Sequence, residues 1–463
     1  MDDLREQYRR ANQHRDLAFL ERPYLGTPGA PAQDETNTSR LWAHLNGGFL
    51  MAHEYTRWWE ESRALRTTAV LGDWSWLNKV RVTGPRAEEF LDRVSAKSVT
   101  SQQVGATRFT PMLSSDGRIA IEGVTLKLAD DDFLFTQSGA QFWLPLQAQA
   151  LGIDVGLEDQ TPDWTCFALQ GPRSLPVLEA VTGESFADLR FSRWRRVTLF
   201  GTEVIVQRQG VTGEVGYEFL MRTDTGRAHE LWRRIRDVGR EVGLRELGYR
   251  AQMIGHTESN VPTVIRDYLP DRFPADKLPR FARLWATEEE LAALDSDLGE
   301  HLVTPAELGW SRAVDLDHEF VGRDAVRAEA DAGGPARRWR ALVWDAGDVG
   351  ELFAAQFRDA PAPPAPDQSW GQFRLQFHRV RRDGEPAGWA SAAAHSPTLR
   401  RMISHARLDA GVETGAEVTV DWGYPGSPTW RLRATVAEQP LLPDHRRDDP
   451  VAAAAAATAA GGE

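Results

Sequence analysis

From about Trp76 onward, short β-favouring segments bounded by glycine and aspartate follow one another, and this pattern constrains the fold most strongly. The pattern predicts strands at residues 78–83, 107–113, 119–128, 132–137 and 164–170, and a hairpin pair from residues 195–208 and 215–221. Residues 86–94, 173–181 and 226–242 have helical periodicity. Further strands at 373–380, 388–394, 417–422 and 430–436 are typical of a small antiparallel barrel or sandwich.

The first 65 residues predict mostly helix instead. Residues 3–20 and 38–65 favour helix, with a loop rich in proline and glycine between them and an interruption at Gly47 and Gly48. A chain of 463 residues is too long for one core, so we expect two or three domains. Residues 359–368 predict an inserted loop, and the alanine-rich residues 452–462 predict a disordered tail.

The charge and the apolar content exclude several classes of protein. A net charge of -13 argues against a general nucleic-acid-binding protein, because phosphate neutralisation needs a basic face. No stretch approaches the roughly 18 consecutive apolar residues of a membrane helix, and the charged N-terminus does not resemble a secretory signal. The single cysteine, Cys166, excludes an intrachain disulfide and predicts a buried strand position. Together these features predict a cytoplasmic protein with neither a membrane nor a nucleic-acid partner.

A series of short motifs carries a family resemblance. They are GDWS at 72–75, VTGP at 82–85, RFTPML at 108–113, ALQGP at 168–172, VTGEVGYE at 211–218, LGYR at 247–250, ELGW at 307–310, FVGR at 320–323 and HSPTL at 395–399. Each one alone is weak, but their common order resembles the glycine-cleavage T-protein family of aminomethyltransferases. The resemblance implies an α+β fold, a three-domain cloverleaf around a central tetrahydrofolate cavity, with a C-terminal antiparallel β-barrel.

The resemblance also implies the domain limits. We expect an N-terminal helical extension at 1–65, a folate-binding domain at 66–160 and 220–330, a second α+β domain at 161–219, a barrel domain at 331–445 and a tail at 446–463.

Glu218 corresponds to the pterin-binding glutamate of the family. The aminopyrimidine edge of folate offers two parallel N–H donors, which one carboxylate can accept. Arg250 matches the arginine that accompanies this glutamate, and Trp310 is taken as a further cofactor contact. The alternatives are a solvated strand residue for Glu218 and a surface cation at a helix end for Arg250.

Within residues 119–128, the alternation of apolar residues slips by one at Glu122 and Gly123. A slip at a glycine predicts a β-bulge, which re-aims a side chain. T-proteins have two acids here. The resemblance implies that Glu122 replaces the first acid and is the candidate catalytic acid or base. Gly123 replaces the second acid, which weighs against aminomethyl transfer from a carrier protein. The alternative is an exposed glutamate at a bulge.

The chain is more similar to the tetrahydrofolate-dependent aromatic O-demethylases that act on vanillate, syringate or 3-O-methylgallate. It shares their N-terminal extension and a Trp-rich segment at 67–76. Tyr249 stands where these enzymes carry a catalytic tyrosine, and Tyr24 and His53 resemble their substrate-pocket residues. The alternatives are a core tyrosine for Tyr249, a loop anchor for Tyr24 and a solvent-facing helix residue for His53.

The chemistry of aryl ether demethylation suits these residue types. Loss of the methyl group leaves a phenolate, which needs a proton, and a tyrosine hydroxyl is a reasonable general acid. The carboxylate of a benzoate substrate needs a cation or donors, and the candidates are His53, Arg118 and His256.

Two other functions stay open. One is folate-linked transfer from an aliphatic amine or sulfonium donor, and the other is a non-catalytic folate-binding protein. The sequence has no H-E-x-x-H spacing, no phosphate-binding loop and no dinucleotide motif, so tetrahydrofolate is the one cofactor suggested.

Overall fold

The computed structural model describes residues 4–6, 8, 25–44, 49–137, 139–273, 276–283, 285–293, 298–366 and 375–460. Tyr24 and most of the predicted helix at 3–20 lie outside these ranges. The chain divides into two compact units. The first comprises residues 1–110, 121–255 and 444–463, and the second comprises residues 111–120 and 256–443.

The first unit contains a mixed sheet of six strands. In sheet order these strands are Arg193–Leu199, Thr202–Arg208, Gly216–Arg222, Trp164–Gln170, Val70–Asp73 and Arg245–Glu246. The last pair is parallel and the others are antiparallel. One face is covered by an apolar core that includes the helices Ser174–Thr182 and Ala228–Gly239.

A second sheet has five strands, in the order Thr107–Leu113, Ile119–Ala129, Asp132–Thr136, Lys79–Thr83 and Gly156–Asp159. A three-stranded sheet has the order Leu25–Gly26, Phe49–Ala52 and Trp42–His44. Further helices among the described residues of the first unit are Ala30–Asp34, Trp58–Thr67, Ala87–Val94, Ala140–Leu151 and Pro450–Ala460. Helix Tyr249–Glu258 begins in this unit.

The second unit contains a closed antiparallel barrel of six strands, which confirms the predicted C-terminal barrel. Around the barrel these are Arg337–Trp344, Arg401–Asp409, Glu385–Ser396, His378–Arg382, Glu417–Trp422 and Trp430–Ala437. Aliphatic side chains such as Leu342, Ala406 and Val420 form its core. The helices of this unit are Leu278–Ala282, Glu288–Ala293, Arg323–Asp331 and Ala346–Ala355.

Three local predictions were wrong. The predicted helix at 38–65 is two strands, Trp42–His44 and Phe49–Ala52, followed by a helix from Trp58, because strand pairing overrides helix propensity here. The segment 195–208, predicted as one strand of a hairpin, contains two strands, Arg193–Leu199 and Thr202–Arg208, which are joined by a tight turn. The predicted disordered tail contains the helix Pro450–Ala460, since alanine is the best helix former and Ala453 packs on the first unit's core.

No helix in the described ranges has the length and apolar character needed to cross a bilayer.

Candidate functional site

A row of five residues crosses the six-stranded sheet of the first unit. Trp194 lies opposite Gln207, Gln207 opposite Glu218, Glu218 opposite Ala168, and Ala168 opposite Gly72. Directly opposed residues in paired strands project to the same face. The row therefore places a carboxylate between an amide on one side and two of the smallest residues, Ala168 and Gly72, on the other.

The carboxylate of Glu218 is held through one of its oxygens. Its Oε2 accepts hydrogen bonds from Nε2 of Gln207 and, at 3.9 Å, from the thiol of Cys166. Cys166 is buried in a strand, as predicted. Across the residues that the structure describes, no donor reaches Oε1 of Glu218. Glu218 is 8% exposed, so Oε1 is a buried acceptor to which no donor of the described ranges is bonded.

A buried lysine supports this carboxylate. Lys79 is 1% exposed, and its ammonium group donates to the backbone oxygens of Trp74 at 3.1 Å, Ser75 at 3.0 Å and Leu77 at 2.7 Å. Burial raises the pKa of Glu218 to about 7, and the bond from Gln207 and the charge of Lys79 oppose this rise. The hydrogen bond from Gln207 and the charge of Lys79 together therefore keep the buried carboxylate ionisable near neutral pH. Gln207 and Lys79 were both missed at the level of sequence.

The raised pKa of Glu218 predicts a pH dependence of stability. The pKa is about 7 in the folded protein and about 4.5 in the unfolded chain, so between these values the folded state holds the extra proton. We therefore expect the unfolding free energy to fall by about 3 kcal/mol from this group as pH rises from 4.5 to 7. Urea unfolding of wild type and Glu218→Gln should give curves of stability against pH that converge at low pH and separate above it. Parallel curves would contradict the assignment.

Tyr249 and His53 lie together elsewhere in the first unit. Tyr249 is the first residue of the helix Tyr249–Glu258 and is 1% exposed. Its ring stacks on the half-buried ring of His53, with 6.4 Å between the centroids and 29° between the planes. The structure thus brings together the predicted catalytic tyrosine and a predicted substrate-binding histidine.

Arg250 belongs to the same group. Its backbone N–H donates to the backbone oxygen of His53 at 3.0 Å, and its guanidinium lies 3.5 Å from the carboxylate of Glu54. The guanidinium carbon also lies 5.7 Å from the ring centroid of Trp58. With its side chain 18% exposed, Arg250 is not the surface cation considered above.

The six-stranded sheet links the row through Glu218 to the group formed by Tyr249, His53 and Arg250. The N–H of Leu247 donates to Leu71 at 2.8 Å, and its side chain lies 3.6 Å from the position of a Cβ built on Gly72. Leu247 therefore adjoins the small-residue end of the row and precedes Tyr249 by two residues. Three strand spacings, about 15 Å, separate Glu218 from this segment.

Glu122 is buried rather than exposed, and Oε1 accepts a hydrogen bond from Nε2 of Gln137 at 2.8 Å. Residues 119–123 are all buried, which accounts for the slip in the apolar alternation. The pairing with strand Asp132–Thr136 begins at Val124 and shifts register after Lys127, so a bulge at Glu122 stays a prediction. A Cβ on Gly123 would lie 2.6 Å from the backbone oxygen of Thr136, so this strand has no room for a second acid.

The close approach at Gly123 predicts a stability effect. A Cβ there would also lie 2.6 Å from Cζ of Phe135, so Gly123→Ala is expected to lower the unfolding free energy by about 1–3 kcal/mol. Gly350, inside a helix with open space around its Cα, is the matched control. Gly350→Ala should raise stability by about 0.5–1 kcal/mol. Urea midpoints of the two variants check both signs, and a neutral Gly123→Ala would contradict the steric argument.

Three predicted residues lie in the second unit. Arg118 is half-buried, and within the described ranges its side chain makes neither a hydrogen bond nor an ion pair. His256 is buried, with Nδ1 3.0 Å from Oγ1 of Thr263. Trp310 is half-buried and packs edge-to-face on Tyr268, at 6.4 Å between centroids. The roles assigned to these three residues stay predictions.

Comparisons with known proteins place these features in context. Residues 41–281 match the GCVT N-terminal domain family. Sesamin methylene transferase of Sinomonas sp. (strain No.22) is 31% identical over 387 residues, covering 78% of this chain and 83% of that protein. An aminomethyltransferase of Lysinibacillus sphaericus is 27% identical over 383 residues, covering 81% and 88%.

A solved structure shows the same fold. The crystal structure of glycine cleavage system aminomethyltransferase T from Bartonella henselae superposes with a TM-score of 0.68 at 17% identity, covering 91% of this chain and 99% of that one. This likeness, with the closed barrel, confirms the predicted fold class.

Proposed function

Because the chain belongs to the GCVT N-terminal domain family, we propose that it is a tetrahydrofolate-dependent O-demethylase of methoxylated aromatic acids. Its products would be a phenol or catechol and 5-methyltetrahydrofolate. The observation that carries this proposal is the buried Tyr249, which stacks on His53 at the start of a helix. A tyrosine hydroxyl is the proton donor that a phenolate leaving group requires.

Glu218 fits the cofactor. One of its oxygens is held by Gln207 and the other is open, and small residues stand beside it at positions 168 and 72. An oriented carboxylate of this kind can accept the parallel N–H donors of an aminopyrimidine. When bound, tetrahydrofolate supplies the nitrogen that accepts the one-carbon group.

Tyr249 would supply the proton for the leaving group. Tetrahydrofolate held by Glu218 would supply the nitrogen that takes the methyl carbon as the bond from that carbon to the aryl oxygen breaks. The aryl oxygen would take a proton from the Tyr249 hydroxyl, and the proton lost from the methylated nitrogen would restore the balance. The ring of His53 stacks on the ring of Tyr249 and would help to hold that ring in place.

The substrate carboxylate needs a cation. Arg118 is one candidate from the sequence, and its half-buried side chain makes no ion pair in the part of the chain that the structure covers. His53 and His256 remain candidates as hydrogen-bond donors.

One observation favours a second candidate function, methylene transfer. A relative that is 31% identical over most of this chain is named sesamin methylene transferase. A methylene group held by two aryl oxygens would leave two phenol groups, and tetrahydrofolate would take up the carbon at two nitrogens with release of two protons. Glu218 and Tyr249 would serve this reaction in the same positions.

The test is an anaerobic incubation of the protein with tetrahydrofolate and separate donors, read by mass spectrometry. The donors are vanillate, syringate, 3-O-methylgallate, a methylenedioxybenzoate, and an aliphatic methylamine or sulfonium. Demethylation of a methoxybenzoate with formation of methyltetrahydrofolate supports the proposal. Turnover of the methylenedioxy compound alone supports the second candidate. Turnover of the aliphatic donors alone, or folate binding without any product, contradicts both.

A further inference from the structure

Glu61 joins two segments that are distant in sequence. It lies in the first turn of the helix Trp58–Thr67 and is fully buried. Its Oε1 accepts from the backbone N–H groups of Tyr55 at 2.8 Å and Thr56 at 3.0 Å, and its Oε2 accepts from the N–H of Gly248 at 2.9 Å. One carboxylate therefore ties the loop before its own helix to the residue before Tyr249.

The two segments touch closely where Glu61 holds them. A Cβ on Gly248 would lie 2.4 Å from Cα of Glu54 and 2.6 Å from the backbone oxygen of His53, so only glycine permits this approach. One residue further, the ring of Tyr249 meets the ring of His53. The backbone of Arg250 then bonds to His53 at 3.0 Å. The relative position of Tyr249 and His53 thus depends on the contact between Gly248 and the backbone of residues 53–54, which the hydrogen bond from Gly248 to Glu61 stabilises.

We propose that Glu61 is a positioning residue that holds Tyr249 against His53 in the orientation needed for proton donation. The inference rests on the proposed function of Tyr249, and Glu61 itself acts only through the backbone. A carboxylate suits this role because it is acceptor-only when ionised, and it faces three N–H donors here. An apolar side chain at this position would avoid burying a charge but would leave the three N–H donors of Tyr55, Thr56 and Gly248 unpaired.

The main test is Glu61→Gln in the full chain. The amide keeps one acceptor oxygen but turns N–H donors toward backbone N–H groups, so the contact with Gly248 or with Tyr55 opens. Misplacement of a catalytic group by about 1 Å costs about 100-fold in rate, so we expect kcat to fall by about that factor. The KM for tetrahydrofolate should change little, since Glu218 lies on other strands.

Glu214→Gln is the matched control. Glu214 is another buried glutamate of the same unit, and its carboxylate pairs with Arg66 at 3.0 Å. Arg66 in turn donates to the backbone oxygen of Gly255 at 3.3 Å, beyond residues 248–252 of the Tyr249 segment. Thermal melting of both variants sets a temperature at which each is folded. A similar loss of kcat in both variants would mean that Glu61 has only a general structural role, which overturns the inference.

A double-mutant cycle tests the route of the effect. If Glu61 acts through Tyr249, then Glu61→Gln lowers kcat in the wild type but has little further effect in the Tyr249→Phe background. Equal effects in both backgrounds would overturn the inference.

Hydrogen exchange separates this inference from the proposed function, because it needs no substrate. Exchange of the backbone amides at 248–252 should be faster in Glu61→Gln than in wild type and unchanged in Glu214→Gln. If the wild type demethylates no aryl ether, the proposed function fails, and this exchange experiment alone decides whether Glu61 holds the segment. Unchanged exchange in Glu61→Gln overturns the inference in either case.

Discussion

Replacing Tyr249 by phenylalanine is expected to lower the rate of demethylation by about 10²- to 10⁴-fold, the usual contribution of a general acid. The substitution removes only the hydroxyl, so the stacking of the ring on His53 remains. The affinity for tetrahydrofolate should therefore be unchanged. Single-turnover rates with a methoxybenzoate, together with folate titration, measure the two quantities separately.

Tyr217 provides the matched control for this experiment. It is a fully buried tyrosine of the same unit, and its hydroxyl finds no hydrogen-bond partner in the described ranges. Its ring belongs to the apolar core on the other side of the sheet from Glu218. Tyr217→Phe should leave turnover at the wild-type level. A rate for Tyr249→Phe within about threefold of wild type would exclude Tyr249 as the proton donor.

The second large effect concerns Glu218→Gln and the binding of tetrahydrofolate. Loss of a charge-assisted pair of hydrogen bonds should weaken binding by about 1.5–3 kcal/mol, or about 10- to 100-fold. The wild-type affinity should also depend on pH, because burial raises the pKa of Glu218 to about 7 and only the ionised form accepts both N–H groups. Affinity should therefore fall about tenfold as pH drops from about 8 to about 6.

In Glu218→Gln this pH dependence should disappear, because the amide does not titrate. Glu214→Gln serves again as the control, since it replaces a buried glutamate that pairs with Arg66. It should lower stability but keep both the affinity for tetrahydrofolate and its pH dependence. Isothermal titration at the two pH values checks these results. An unchanged affinity in Glu218→Gln would remove Glu218 from the cofactor site.

Much of the fold could be predicted from the sequence where strands are bounded by clear turns. The strands Thr107–Leu113, Trp164–Gln170 and Glu417–Trp422 begin and end where the pattern predicts. The barrel strand Arg401–Asp409 was not predicted, because its sequence contains buried polar residues. His405 is buried against Asp267, with Nδ1 3.0 Å from the carboxylate. Such a strand looks exposed in sequence, since its buried partner is far away in the chain.

The candidate site was predictable only in part for the same reason. A family resemblance was enough to predict Glu218, Tyr249 and His53, because each stands in a motif or at a position that the family shares. Gln207 is recognised only through the register that places it opposite Glu218. Glu61 bonds to Gly248, which is 187 residues away, so no local pattern marks it.

The most direct test of the account is the fate of a deuterated methyl group. A methoxybenzoate with a trideuterated methoxy group is incubated anaerobically with the protein and tetrahydrofolate, and the folate is analysed by mass spectrometry. Direct transfer predicts that all three deuterium atoms arrive together on methyltetrahydrofolate, while the aromatic product gains one phenol group. Deuterium recovered as formaldehyde, or in a methylene group that has lost one deuterium, would contradict direct methyl transfer.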